Sequence, residues 1–174
     1  MSFRLVRELS SVFAAVAPIA GADWLDGKQP DRAVPLLYIT GTADPLNPFE
    51  GGEIRIGRKR YGNKPPIDKM ILKWVKLHGS QDEPHTVYDQ DGAKGVSYSL
   101  EGDVHAVVLY TLEGHGHHWP GGKSALPEKI AGKNIAKLNA TDVIWKFFNR
   151  HSLPVATRST GQQDAPADAD KTLR

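Results

Sequence analysis

The chain has 174 residues, of which 40% are hydrophobic and 24% charged, and its formal net charge is +2. That length suits one domain with a real core; the longest apolar stretch, Val12 to Ala20, is too short to cross a bilayer, and so small a net charge speaks against a nucleic-acid partner. Cysteine is absent, which rules out disulfides, a thiolate nucleophile and zinc-thiolate sites and leaves the compartment undecided.

At the N-terminus the basic Arg4 and Arg7 are followed by Glu8 and no cleavage site, so the segment is not a secretory signal. Residues 3 to 12 read as a helix with Phe3, Leu5, Leu9 and Val12 as its apolar stripe, and Phe13 to Ile19 as a buried strand ending at Gly21. The polar stretch 22 to 33 reads as a loop with Trp24 as a packing anchor. A second buried strand, 34 to 40, opens into Gly41-Thr42-Ala43-Asp44-Pro45-Leu46-Asn47-Pro48.

The next segment has glycines at 51, 52, 57 and 62 and the basic residues Arg55, Arg58, Lys59, Arg60 and Lys64. It reads as a solvated surface loop, with a specificity loop for anionic or polysaccharide-linked substrates as the alternative. Pro65-Pro66 starts an amphipathic helix with Ile67, Met70, Ile71, Trp74 and Leu77 on one face and Gly79 as its stop. Two alternating segments, 86 to 88 and 96 to 100, flank an Asp91-Gly92 turn and predict a β-hairpin. The run at 104 to 112 is a third buried strand, and it leads into Gly114-His115-Gly116-His117-His118-Trp119-Pro120-Gly121-Gly122. Asn139 or Thr141 caps a final helix whose Val143, Ile144, Phe147 and Phe148 face the core. Residues 1 to 154 form the domain, and from Val155 the composition is that of a disordered tail.

A carboxylate therefore leaves one strand end and an imidazole another. Parallel neighbours would put both on the carboxyl edge of the sheet, where open α/β sheets place their chemistry. Asp before His is also the order of the last two members of an α/β-hydrolase triad. A competing chemistry is a metal site, since His115, His117 and His118 are clustered and His105 is near. Adjacent loop histidines converge poorly on one ion, and no HxHxDH spacing is present, so no metal is expected.

GTADPLNPFEGG at 41 to 52 and EGHGHHWPGG at 113 to 122 resemble the acid and histidine loops of the polyhydroxybutyrate depolymerase-like esterases, a secreted α/β-hydrolase family that includes feruloyl and acetyl xylan esterases. Phe3-Arg4-Leu5, the run from Phe13 to Gly21, and Ala140 to Phe148 match as well, so the resemblance covers about residues 1 to 154. It implies the α/β-hydrolase fold, here its C-terminal part with three parallel central strands, a β-hairpin extension and flanking helices. It implies hydrolysis of polyester, feruloyl or acetyl esters without cofactor or metal, in an extracellular setting; that no nucleic-acid or membrane partner is expected follows from the charge and the short apolar stretches.

Asp44 then corresponds to the triad acid, His117 to the base, and Trp119 to a wall of the substrate site, while His115 and His118 fall where the family varies. Two departures stand out. Ser80 occupies a position where the family has a cysteine, and no GxSxG elbow occurs; by this alignment the serine lies about five residues before Met1. The alternative is a non-catalytic fragment or a binding module without hydrolase activity.

Overall fold

The computed structural model describes residues 1–23, 28–79, 83–99 and 106–153. Trp24, Ser80, His105, the Leu100 end of the expected hairpin and the tail from Val155 lie outside the described residues.

In chain order the elements are α1 (Ser2–Glu8), β1 (Leu36–Gly41), β2 (Gly52–Ile56), β3 (Lys59–Lys64), α2 (Ile67–His78), β4 (His85–Gln90), β5 (Ala93–Ser97), β6 (Val107–Leu112), α3 (Glu128–Ala131) and α4 (Ala140–Phe148). They make a mixed sheet flanked by helices, an α/β arrangement. Strand order is β1-β6-β5-β4, with β1 and β6 parallel and the other pairs antiparallel.

β1 is buried along its whole length, as a continuous apolar run predicts for a strand covered on both faces. Its side chains alternate between two cores. Leu36 and Tyr38 pack with Phe3 and Val6 of α1 and with Ile67, Met70, Ile71 and Trp74 of α2. Leu37 and Ile39 belong to the opposite core, which α4 covers with Val143, Ile144, Phe147 and Phe148. Burying each such aliphatic side chain contributes roughly 1.5–3 kcal/mol. The α2 stripe is as expected, and Gly79 ends the helix at φ 65, its N–H bonded to the Val75 and Lys76 carbonyls. Asn139, not Thr141, caps α4, accepting the N–H groups of Thr141 and Asp142.

The expected third parallel strand is interrupted. Residues 13 to 19 pair with β1 only as isolated parallel bridges at Val16–Leu36 and Ile19–Ile39. The hydrogen-bond ladder shows why: Val16 N donates to Pro35 O, Leu37 N to Val16 O, Ile39 N to Pro18 O and Ala20 N to Ile39 O. The rung missing from this sequence is the one residue 18 would donate, and proline has no N–H to give. On the other side of the segment, the N–H groups of Ala15, Ala17 and Ile19 find no backbone acceptor among the described residues. They form an unpaired strand edge.

Two other expectations are corrected. α1 ends at Glu8, and it buries Phe3, Val6 and Arg7 while Leu9 and Val12 of the expected stripe are exposed. Arg7 sits inward because its guanidinium meets Asp23 at 2.6 Å, with both side chains buried, and lies 4.8 Å from the Trp74 ring centre. Trp74 donates its indole N–H to the same carboxylate. The segment expected to be a loop at 51 to 64 is instead the hairpin β2–β3, turning at Gly57 with φ 60; glycine at the first of two turn positions is a hairpin signal. The expected hairpin at Asp91-Gly92 is present as β4–β5; both residues have positive φ, the geometry of a tight two-residue turn.

At the end of β1, a side chain on Gly41 would lie 2.0 Å from the His115 carbonyl oxygen. Gly41→Ala should therefore force the two strand ends apart and lower stability by about 3 kcal/mol. Urea unfolding measures this; a loss under half that size means the backbones are not in contact.

Candidate active site

β1 and β6 run in parallel with Gly41 beside Leu112, so the two loops that follow leave from the same edge. They are then stitched together. Thr42 N donates to Leu112 O and Ala43 N to His115 O, and Gly114 N donates to the Thr42 hydroxyl at 2.9 Å. Gly116 has no room for a side chain either, because a Cβ would fall 2.0 Å from the Ala131 carbonyl oxygen. The glycines of the histidine loop thus admit the short helix α3 from behind.

Asp44 is buried and uses both carboxylate oxygens. Oδ1 accepts the N–H groups of Leu46 and Asn47, each at 2.8 Å, the side-chain turn that Asp favours. Oδ2 accepts from His117 Nδ1 at 2.8 Å. An ionised carboxylate only accepts, so Nδ1 carries the proton of the neutral ring and Nε2 keeps its lone pair. No hydrogen-bond partner of Nε2 exists among the described residues. The bond to Asp44 raises the His117 pKa above its ordinary value, with burial opposing.

The other two histidines have different tasks. His115 is fully buried; its Nδ1 accepts from Ile135 N and Ala136 N, so its Nε2 is the side that donates to His118 O. Burial lowers its pKa, which suits a neutral ring. His118 places Nε2 at 2.8 Å from the Gly132 carbonyl, to which it donates. The ring nitrogens are thus spent on different partners, although the His115 and His118 rings meet edge to face at 6.1 Å, and among the described residues no group of three or more His, Cys, Asp or Glu is disposed to hold a metal ion.

His117 lines a cleft of about 430 Å³ together with Ser2, Pro18, Ile19, Trp119 and Leu126. Trp119 is 48% exposed, with its indole N–H on the Thr141 hydroxyl. Asp44 and His117 are thus hydrogen-bonded to each other, and Trp119 lines the same cleft as His117.

Two residues of the site escaped sequence reasoning. Asn47 is buried and donates Nδ2 to the Tyr38 hydroxyl at 2.9 Å and to Thr40 Oγ1 at 3.2 Å, tying the acid loop to β1. Its signal was its place three residues after Asp44 between two prolines. Lys64, grouped above with the solvated basic residues, is buried and donates Nζ to the Pro48 carbonyl at 2.7 Å. Burial lowers its pKa to about 8, against an upward pull from Asp44. Nothing in a run of basic residues separates this lysine from its exposed neighbours.

No family model matches the chain. It is similar to a protein of Nocardia uniformis subsp. tsuyamanensis described as the putative esterase NocK, 29% identical over 162 residues. The match takes in 85% of this chain and 47% of that protein, so the chain spans about half the length of the curated relative it matches.

The pKa shift carries a sign. A histidine whose folded pKa is raised adds stability that is fully present below its unfolded value, here 6.5, and is lost as pH rises through the folded value. NMR titration should place His117 above that value and His115 below it. Asp44→Asn should bring His117 down and remove the acid-side stabilisation; an unchanged His117 titration in that variant would show the pair is not formed in solution.

Proposed function

We propose that the chain carries the acid and the base of a serine-type carboxylic ester hydrolase with the α/β-hydrolase fold. The single observation behind this reading is the 2.8 Å bond from His117 Nδ1 to Asp44 Oδ2, which leaves the opposite ring nitrogen on a cleft. The parallel strands that deliver acid and base in that order support it, as does similarity to a protein described as a putative esterase.

In this reading His117 Nε2 takes the proton of a serine hydroxyl as the serine oxygen attacks the ester carbonyl, then returns it to the departing alcohol. A water molecule repeats the cycle on the acyl-enzyme, giving up one proton to His117 and releasing the acid. Asp44 holds the ring in the required tautomer and stabilises the imidazolium. No cofactor is needed.

We assign the serine to sequence upstream of Met1. Among the described residues no hydroxyl is hydrogen-bonded to His117, the similar protein is about twice as long, and Ser2, at the start of α1, lines the same cleft as His117. The chain therefore enters α1 at the cleft, where a strand-to-helix elbow would present its serine. Polyester and polysaccharide-linked feruloyl or acetyl esters are the substrates we favour, acted on outside the cell, by the resemblance of both loops to the depolymerase-like esterases.

Hydrolysis of p-nitrophenyl acetate tests this. The 174-residue chain should show no turnover sensitive to a serine-directed phosphonate. A chain extended upstream through a GxSxG elbow should be active, and in it Asp44→Asn or His117→Ala should each cut kcat by roughly a thousandfold or more. His115→Ala and His118→Ala should cost stability before they cost chemistry. Phosphonate-sensitive activity in the short chain would put the nucleophile within it, and an inert extended chain would favour a binding module.

A further inference from the structure

We propose that Lys64 is a positioning residue for the Asp44–His117 pair: its ammonium anchors the acid loop through the Pro48 carbonyl and keeps a positive charge behind the carboxylate. The inference rests on the acid–base role given to that pair, and it concerns a residue with no expected part in the chemistry.

Lysine is among the side chains least often buried, and Lys64 is only 4% exposed. It closes the β2–β3 hairpin at Gly52, immediately before Pro65 and Pro66 lead into α2. From there the side chain runs back under the loop that bears Asp44. The contacts are consecutive along the loop: Asp44 holds the N–H groups of Leu46 and Asn47, Asn47 holds Tyr38 and Thr40, and the next residue, Pro48, receives Lys64 Nζ at 2.7 Å. Pro48 O is the one hydrogen-bond acceptor of that ammonium among the described residues. Anchoring a carbonyl needs no charge, whereas a buried cation within electrostatic reach of a carboxylate, as Lys64 is of Asp44, serves to balance it.

The surrounding charges are few. Asp44 faces Lys64 from the acid loop and draws its pKa upward, while burial takes it down to about 8. Tyr38 on β1 stays protonated because burial raises its pKa. Glu53 on β2 is occupied by Arg55 and Arg60. Lys64 thus loses its proton in mildly alkaline solution, and Asp44 then faces His117 without a counter-charge. The imidazolium becomes easier to form, so His117 registers the event.

The test follows the His117 Hε1 resonance of the whole chain by NMR from acid to alkaline pH and requires no ester turnover, so it stands apart from the esterase assay. In the unmodified chain the resonance should show its own titration and a second, smaller inflection near pH 8, at the Lys64 pKa. Lys64→Arg keeps the charge at all accessible pH; it should erase the second inflection and leave the main one in place. Lys64→Met should erase the second inflection and raise the main pKa by roughly half a unit. A second inflection that survives in Lys64→Arg, or is missing from the unmodified chain, overturns the proposal. So does a folded Lys64→Met variant with an unmoved His117 pKa; should that variant fail to fold, the Lys64→Arg comparison decides alone.

Discussion

The parallel pairing of β1 with β6 is the constraint on which the rest depends. Parallel strands end at the same edge, so a residue shortly after Gly41 and one shortly after Leu112 are neighbours although 73 positions separate Asp44 from His117. An antiparallel pair would have sent the two loops to opposite ends of the sheet. The glycines finish what the register begins. Gly41 and Gly116 let backbone meet backbone with no side chain between, and the loops are then bonded to each other before any functional group is placed. Asp44 and His117 are consequently held by main chain, which orders them at little side-chain entropic cost.

The histidine loop shows how one residue type is given three roles by environment. His115 is buried and tied on both nitrogens to backbone, so it fastens the loop to residues 135 and 136. His118 spends its donor on Gly132. Only His117 combines a carboxylate on one nitrogen with access to the cleft on the other. Sharing a short sequence window does not bring their nitrogens onto one ion, because the three rings commit nitrogens to different partners.

What the sequence disclosed follows from which signals are local. Apolar runs at 34 to 40 and 106 to 112, the helix stripe from Ile67, the Asp91-Gly92 turn and the two loop motifs each carry their meaning in adjacent residues, and all of them fall on elements or loops that the structure contains. The miss in α1 depended on distant partners. Leu9 and Val12 had helical spacing, but α1 turns its Arg7 face inward because Asp23 and Trp74 wait there. Residues 52 to 64 read as a loop since hydrophobic alternation is absent; both strands are largely exposed, leaving Gly57 as the sole turn signal. Pro18 was visible in an apolar run, and its missing N–H should have warned that a strand there would be broken.

The buried Arg7–Asp23 pair bears on how this protein can change over generations. Taking either partner away strands a charge in the core, at about 3–5 kcal/mol, whereas an apolar pair of matching volume is often tolerated. Single substitutions at either position thus lead downhill into an unfolded chain, and the neutral alternative is two changes away. Since Trp74 is bonded to the same carboxylate and stacked near the same guanidinium, a successful exchange must also suit the indole. The three positions should drift as a unit among relatives, linking the helix that enters the cleft to the helix that follows the acid loop.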